Sequence, residues 1–202
     1  NEEVRNHYEG LARFFRAYFY FVKVRRFGDV PWYDYVIGSA DTEALSKPRD
    51  SREFVMGKVL EDIDFAIDNL RKQKDVYRVT RWTALALKSR ICLFEGTFRK
   101  YHTELGLQDS ANKWLEEAVK ACETLLGKYS LYNIGEDTYW KMFAAIDLSD
   151  NPEVILARTY LENKVGHAAQ RYFNQNNANR ESMGVTRGLI DEYLCIDGRP
   201  IY

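Results

Sequence analysis

The sequence has 202 residues, enough for one large domain or two small ones, and its 46% hydrophobic content is that of an ordinary globular protein. Its 29 Lys and Arg residues nearly balance 30 Asp and Glu residues, so no net field would draw in nucleic acid or acidic lipid. Aromatic residues make up 14% of the chain, a share that suits a well-filled helical core, carbohydrate stacking, or both.

The cysteines exclude two classes of small stabilised domain. Cys92, Cys122 and Cys195 are odd in number and form no CxxC pair, which argues against a disulfide framework and against a structural zinc site. We expect all three to be buried as small apolar residues. The longest apolar run near the front of the chain, residues 17–22, is too short to span a bilayer.

The first predicted helix carries two neighbouring apolar stripes, so we expect it to be covered on two sides. One stripe contains Tyr8, Leu11, Phe15, Tyr18 and Val22, and the other contains Phe14, Ala17, Phe21 and Val24. Gly28 is placed where this helix would end, and Pro31 prevents it from resuming.

A long loop at 29–49 follows and is rich in aromatic residues at Trp32, Tyr33 and Tyr35. Rings on a loop can stack on the apolar face of a pyranose, and Asp34 can accept hydrogen bonds from sugar hydroxyls. The alternative is that Trp32 and Tyr35 fold back over the first helix. Because Trp and Tyr are highly buried on average, packing is the favoured interpretation.

The remaining tryptophans differ in their surroundings. Trp82 and Trp114 lie on helix stripes and are expected in the core, whereas Trp140, near Tyr139, is an intermediate case. The candidate ligand-binding residues are therefore Trp32, Tyr33, Asp34, Tyr35 and Trp140.

Two further helices have clear starts. Asp50 precedes the second and is predicted to cap it, with Glu53 completing a capping box. Thr80 is predicted to cap the third, which spans 81–101. Because this third helix is apolar on two sides and contains small residues such as Gly96, it should be central and closely packed.

A fourth helix follows a polar loop at 106–110 and closes near residue 127. The four helices form two predicted antiparallel pairs that are similar to degenerate tetratricopeptide repeats. The pattern turns irregular after 132: 154–157 is a short apolar run that suits an extended segment, 162–185 is a polar loop, and Thr186 is predicted to cap a short last helix.

The predicted fold is therefore mainly α. A tetratricopeptide-like helical region spans 1–132, with a long inserted loop at 29–49, and an irregular, loop-rich region spans 133–202.

Signals for catalysis are weak. His7, His102 and His167 have no partner at ligand spacing, and the chain has no GxSxG, P-loop or Cys–His signature. A glycosidase needs only two carboxylates, but the helical acidic residues are expected on solvent faces. These residues are Asp62, Asp64, Asp68, Glu116 and Glu117. We predict no catalytic residue, no metal site and no cofactor.

Six stretches together resemble the SusD/RagB family of glycan-binding surface lipoproteins, which act beside a TonB-dependent transporter in the outer membrane of Gram-negative bacteria. They are "RAYFYFVKVRRFGDVPW" at 16–32, "KPRDSREFVMGKVLEDIDFAIDNL" at 47–70, "RWTALALKSRICLFEGTF" at 81–98, "WLEEAVKACETLLGKYSLY" at 114–132, "NPEVILARTY" at 151–160 and "TRGLIDEYLCIDGRPI" at 186–201. They occur in the order found in that family and cover most of the chain.

The resemblance implies a fragment that lacks the N-terminal lipidation region and the C-terminal half. It implies a surface-exposed lipoprotein of the outer membrane, attached only through a lipid anchor absent from this sequence. Its partners would be an oligosaccharide or polysaccharide and a SusC-like TonB-dependent transporter, which the helical repeats would face. The glycan loops would lie largely elsewhere. The implied function is non-enzymatic glycan capture and delivery to that transporter.

Two other functions remain open from the residues. A helical-repeat adaptor would bind only proteins and would show no saccharide affinity. A helical glycoside hydrolase would arrange hairpins in a toroid around a carboxylate pair and release reducing sugar. Because the helix pattern turns irregular after Tyr132, the adaptor ranks ahead of the hydrolase.

Overall fold

The computed structural model describes residues 1–160, 164–166 and 185–200 and divides the chain into two compact units, Asn1–Arg158 and Thr159–Tyr202. The first unit contains the helices α1 (Glu2–Phe27), α2 (Thr42–Leu45), α3 (Arg52–Asn69), α4 (Arg81–Tyr101), α5 (Ala111–Leu125) and α6 (Thr138–Ala144). The second contains α7 (Arg187–Asp191). Most of the predicted loop at 162–185 lies outside the described residues, and the division at 132 stays a prediction.

The mainly helical fold is confirmed. The described residues contain isolated β-bridges, at Val30–Asp50 and Leu194–Pro200, but no strand. The apolar run at 154–157 is not assigned as a strand. Its Ala157 amide donates a hydrogen bond to the Val76 carbonyl at 2.7 Å. α1 packs against α3, α4 packs against α5, and α3 joins the two pairs by packing against α4. The resemblance of these pairs to tetratricopeptide repeats stays a prediction.

One continuous core fills the space between the helices. α3 contributes residues that are fully buried, among them Val55, Val59 and Ile63. Phe21 of α1 and Ile91 of α4 pack into the same cluster. Because each buried side chain of this size contributes about 1.5–3 kcal/mol, this core is the main source of stability.

Only one of the two apolar stripes of α1 is covered. The stripe that includes Phe14 and Phe21 is buried against α3, as predicted. Most of the other stripe is exposed, since Tyr8 is 66% exposed, Phe15 56% and Tyr18 51%, although its member Leu11 packs against the core. The prediction of a helix covered on both sides is therefore wrong, because within the described residues α3 covers one face of α1 and little packs on the other.

Helix ends follow local chemistry except where a distant residue competes. Gly28 closes α1 with φ 71°, a conformation that glycine adopts without strain. Thr80 caps α4 as predicted, in a reciprocal arrangement with Thr83. The predicted Asp50 cap of α3 is wrong: Ser51 accepts the hydrogen bond, from the Phe54 amide at 3.3 Å.

α4 and α5 approach closely at Gly96. A Cβ atom at this position would lie 2.7 Å from Leu115 Cδ2 and 3.1 Å from the Ala111 carbonyl oxygen, inside normal contact distance. Gly96, which was predicted to allow close packing, is therefore required for the close approach of α4 and α5.

The cysteines divide by position. Cys92 is buried in α4, and this burial raises the pKa of its thiol to about 12. Cys122 and Cys195 are exposed, so the prediction that all three are buried is wrong for these two. The reason for Cys122 is that it lines an open groove between α4 and α5 rather than the closed core.

An ion-pair cluster between α3, α4 and α5 predicts a pH effect. Lys88 Nζ lies 2.8 Å from Asp64 Oδ1 and 2.6 Å from Glu117 Oε2, and Lys120 Nζ donates to Glu117 Oε1 at 2.8 Å. The bonds from Lys120 and Lys88 lower the pKa of Glu117 to about 2. The stability that Glu117 contributes is therefore present above its unfolded pKa of about 4.5 and is lost as pH falls toward 2.

We expect Glu117→Gln to flatten the fall in unfolding free energy across this acidic range. Urea denaturation at a series of pH values measures it. Glu123→Gln, an exposed carboxylate on the same helix, is the matched control and should follow the wild-type curve. A Glu117→Gln curve parallel to the wild-type curve would contradict the expectation.

Candidate functional site

The aromatic loop between α1 and α3 is anchored at its base. The Asp50 amide donates to the Val30 carbonyl at 3.2 Å, and the Arg52 amide donates to Asp29 Oδ1 at 2.8 Å. These bonds bring the two ends of a long loop together. The residues between them are therefore held as a compact projection on the helices.

Trp32 forms the buried floor of this loop. Its side chain packs with its ring centroid 4.3 Å from that of Tyr20, while the Arg16 guanidinium lies 5.0 Å from the ring centroid. Asp50 accepts from the Trp32 amide at 2.7 Å, and Lys47 donates to the Trp32 carbonyl at 2.9 Å. Trp32 thus packs against α1, in agreement with the favoured interpretation of its ring.

Next to Trp32, an ion pair between Arg16 and Asp62 connects α1 to α3. Asp62 is 2% exposed and accepts two hydrogen bonds from Arg16, at 2.6 and 2.7 Å. This pairing raises the pKa of Arg16 and keeps its guanidinium charged beneath the loop. The prediction that Asp62 lies on a solvent face is wrong, because α1 supplies a bidentate partner directly opposite it.

Above Trp32, the loop presents an aromatic and acidic surface. Tyr33 is half-buried: its amide donates to Tyr20 Oη at 2.8 Å and its hydroxyl donates to the Ala44 carbonyl at 2.5 Å. Tyr35 is 57% exposed and meets the Tyr33 ring edge-to-face at 6.0 Å. Asp34 between them is exposed. We call Tyr33, Asp34 and Tyr35 the loop patch.

Trp140 lies on α6 and is 70% exposed. On the same helix, the Tyr139 and Phe143 rings pack at 4.9 Å, an i,i+4 pairing that the sequence contains and that the sequence analysis missed. Among the described residues, no ring or hydrogen-bond contact joins Trp140 to the loop patch. Of the five candidate residues, Trp32 is therefore buried, three form the loop patch, and Trp140 belongs to a second aromatic surface on α6.

Both surfaces expose aromatic rings beside polar side chains. In the part of the chain that the structure describes, no group of three His, Cys, Asp or Glu side chains could hold a metal ion. No described helix has the length and apolar character needed to cross a bilayer. The loop patch offers ring faces and an exposed carboxylate, which match a ligand with apolar CH faces and many hydroxyl groups.

Comparison with known proteins identifies a family and several solved structures to which the chain is similar. Residues 1–93 match the SusD-like family model described as "Starch-binding associating with outer membrane". No curated protein sequence matches the chain. A crystal structure of a SusD-like protein from Bacteroides fragilis is 26% identical, with a TM-score of 0.54, over 70% of this chain and 25% of that one.

Two further solved structures show the same fold. One, described as a crystal structure with xylogluco-oligosaccharide, is 23% identical with a TM-score of 0.55. The other is 24% identical with a TM-score of 0.54. Each match covers 80% of this chain but 30% of the solved chain. The sequence therefore spans between a quarter and a third of the length of the structures it matches.

Proposed function

This chain belongs to the SusD-like family, and from that premise we propose that it is part of a non-enzymatic protein that captures oligosaccharide or polysaccharide at the outer membrane. The captured glycan would be delivered to a SusC-like TonB-dependent transporter at the bacterial surface. The family description, starch-binding and associated with the outer membrane, supports the ligand class and the location.

The observation that carries the proposal is the loop patch. Tyr35 presents more than half of its surface to solvent beside the exposed carboxylate of Asp34. A tyrosine ring stacks on the CH face of a sugar, and a carboxylate accepts from the sugar hydroxyls. The hydrogen bonds that anchor Trp32 and Tyr33 hold the loop in place, which reduces the ordering cost of binding.

Trp140 supplies a second candidate platform. Its ring is exposed on α6, and Lys141 beside it offers a hydrogen-bond donor. A polysaccharide repeats the same sugar along its length. Contacts at two surfaces of one compact unit would therefore add through effective concentration.

The exposed stripe of α1 supports delivery. Tyr8, Phe15 and Tyr18 form an apolar helix face, of the kind that marks protein interaction surfaces. In the proposal this face contacts the transporter. Affinity purification of the intact protein from outer membranes is expected to recover an outer-membrane barrel. Recovery of no such barrel would overturn delivery while leaving glycan capture in place.

We expect Tyr35→Ala to weaken polysaccharide binding roughly two- to twelvefold, because a well-placed aromatic contact contributes on the order of 0.5–1.5 kcal/mol. Affinity electrophoresis of the intact protein through gels containing starch or xyloglucan measures this effect. Tyr101→Ala, which removes an exposed tyrosine at the end of α4, is the matched control and should migrate like wild type.

The same gels separate the outcomes. Retardation that persists in Tyr35→Ala and falls in Trp140→Ala would move the sugar contact to α6. Retardation that persists in both variants would place the site outside the two surfaces. No retardation of wild type on any polymer would contradict glycan capture and favour the adaptor that binds only proteins.

A further inference from the structure

A small cleft lies away from both candidate surfaces, within the first compact unit. It opens between the connection from α3 to α4, the residues after α5, and the segment 149–155. Its volume is about 220 Å³, and Lys74, Tyr129, Asp150 and Asn151 line it. Sites for drug-sized ligands occupy about 300–1,000 Å³, so this cleft suits a smaller ligand.

Hydrogen bonds fix the walls of the cleft. The Ala157 amide donates to the Val76 carbonyl at 2.7 Å, and the Ser130 amide donates to the Pro152 carbonyl at 3.3 Å. Tyr77 Oη joins the same segments, since it donates to Asp147 Oδ1 at 2.6 Å and accepts from the Leu148 amide at 2.8 Å. The cleft is therefore formed before any ligand arrives, which lowers the entropy cost of binding.

The lining combines an aromatic ring with hydrogen-bonding groups. The Lys74 ammonium lies 4.2 Å from the centroid of the Tyr129 ring and donates one hydrogen bond to the Lys128 carbonyl, so two of its three donors remain. Asn151 Oδ1 accepts from the Glu153 amide at 2.9 Å, and among the described residues its Nδ2 group has no acceptor. The residues that line this small space thus include one aromatic ring and two side chains with free donors.

Asp150 supplies the matching acceptor. Its carboxylate makes no hydrogen bond or ion pair with any residue that the structure describes. Asp75, the other carboxylate at the cleft, is occupied, because its Oδ1 accepts from the Tyr77 amide at 3.0 Å and its Oδ2 lies 3.7 Å from Arg78. The charges of Lys74 and Asp150 offset one another, which favours an uncharged ligand.

We propose that this cleft is a subsite for a single neutral pyranose ring, separate from the loop patch. In this subsite Asp150 accepts from a sugar hydroxyl, Lys74 and Asn151 donate to sugar oxygens, and Tyr129 contacts the CH groups. The inference rests on the proposed glycan-binding function and adds a position at which one sugar unit is held. A carboxylate, amide and ammonium around one ring provide the directional bonds by which a sugar is oriented.

Saturation-transfer difference NMR of the intact protein with methyl α-D-glucopyranoside or methyl β-D-xylopyranoside tests the subsite. We expect Asp150→Ala to weaken binding about tenfold, because a hydrogen bond to a charged group is lost. Since Asp150 is exposed, this variant should keep its fold. Asp109→Ala, at another exposed carboxylate, is the matched control.

Loss of monosaccharide signal in Asp150→Ala, with the Asp109→Ala signal unchanged, would support the subsite. Equal signals in wild type and Asp150→Ala would overturn it, and so would the absence of signal in wild type. Retardation in polysaccharide gels is read separately. If the gels retard the wild-type protein but the NMR signal of Asp150→Ala equals that of wild type, the subsite fails while glycan capture stands. If wild type is not retarded on any polymer, glycan capture itself fails.

Discussion

Replacing Glu95 by alanine is expected to lower the free energy of unfolding by about 3–5 kcal/mol, the cost of breaking a buried ion pair by removing one partner. Glu95 is fully buried in α4. It accepts from Arg52 Nη2 at 2.6 Å and from Arg99 Nε at 2.8 Å. Both arginines are themselves buried, so the substitution leaves two positive charges without their shared carboxylate.

The rest of the network cannot compensate for this loss. Arg99 also donates to Glu53 Oε2 at 2.5 Å and to Ser110 Oγ at 2.7 Å, but its Nη2 atom has no partner among the described residues. The Arg52 guanidinium stacks 3.9 Å from the Phe98 ring centroid. The network therefore connects α3, α4 and the turn before α5. Its loss should weaken the packing among these three elements.

Urea denaturation followed by far-ultraviolet circular dichroism measures the effect. Glu123→Ala, an exposed glutamate of α5, is the control and should change stability by no more than about 0.5 kcal/mol. Glu95→Gln keeps the shape of the side chain and is expected to fall between the two. A Glu95→Ala protein as stable as the control would show that the buried arginines find other partners.

Features decided by neighbouring residues could be predicted from the sequence. α4 spans Arg81–Tyr101, the predicted range, because the Thr80 cap and the apolar spacing are both local signals. The start of α3 was missed by one residue. Asp50 is a good capping residue, but it accepts instead from the Trp32 amide and from Lys47 across the loop. The residue pattern of the helix alone does not show that loop residues compete for the Asp50 carboxylate.

Burial depends on what packs against a helix, and periodicity alone does not give it. The spacing of α1 identifies two apolar stripes but does not say which one α3 covers. Asp62 has the spacing of a surface residue, yet it is buried because Arg16 lies opposite it on another helix. The same limit applies to Glu95, whose partner Arg52 is on α3.

The candidate site shows the same division. The cluster of rings in the loop is visible in the sequence, and so is the alternative that Trp32 packs on the first helix. The sequence does not show that Trp32 is buried while Tyr35 is exposed, because this depends on Tyr20 and Lys47 from other segments. The cleft lined by Lys74, Tyr129, Asp150 and Asn151 could not be predicted from the sequence, because its walls come from three segments far apart in the chain.

Replacing Trp32 by alanine is expected to cost about 3–5 kcal/mol of stability, as for other buried Trp to Ala changes. Trp32 is 6% exposed, packs on Tyr20 and lies next to the Arg16 guanidinium, so its loss leaves a cavity beneath the loop. Because the loop patch rests on Trp32, polysaccharide binding should fall together with stability. Urea denaturation and affinity electrophoresis of the same preparation measure both quantities.

Measuring stability and polysaccharide binding together distinguishes a residue that supports the loop from one that contacts the sugar. Tyr35→Ala should weaken polysaccharide binding with unfolding free energy near that of wild type, since its ring is largely exposed. Trp32→Phe keeps an aromatic ring on Tyr20 and should recover most of both properties. If Trp32→Ala weakened binding while its stability stayed within about 1 kcal/mol of wild type, the ring would not be a floor for the loop. Trp32 would then be a surface on which the sugar itself stacks.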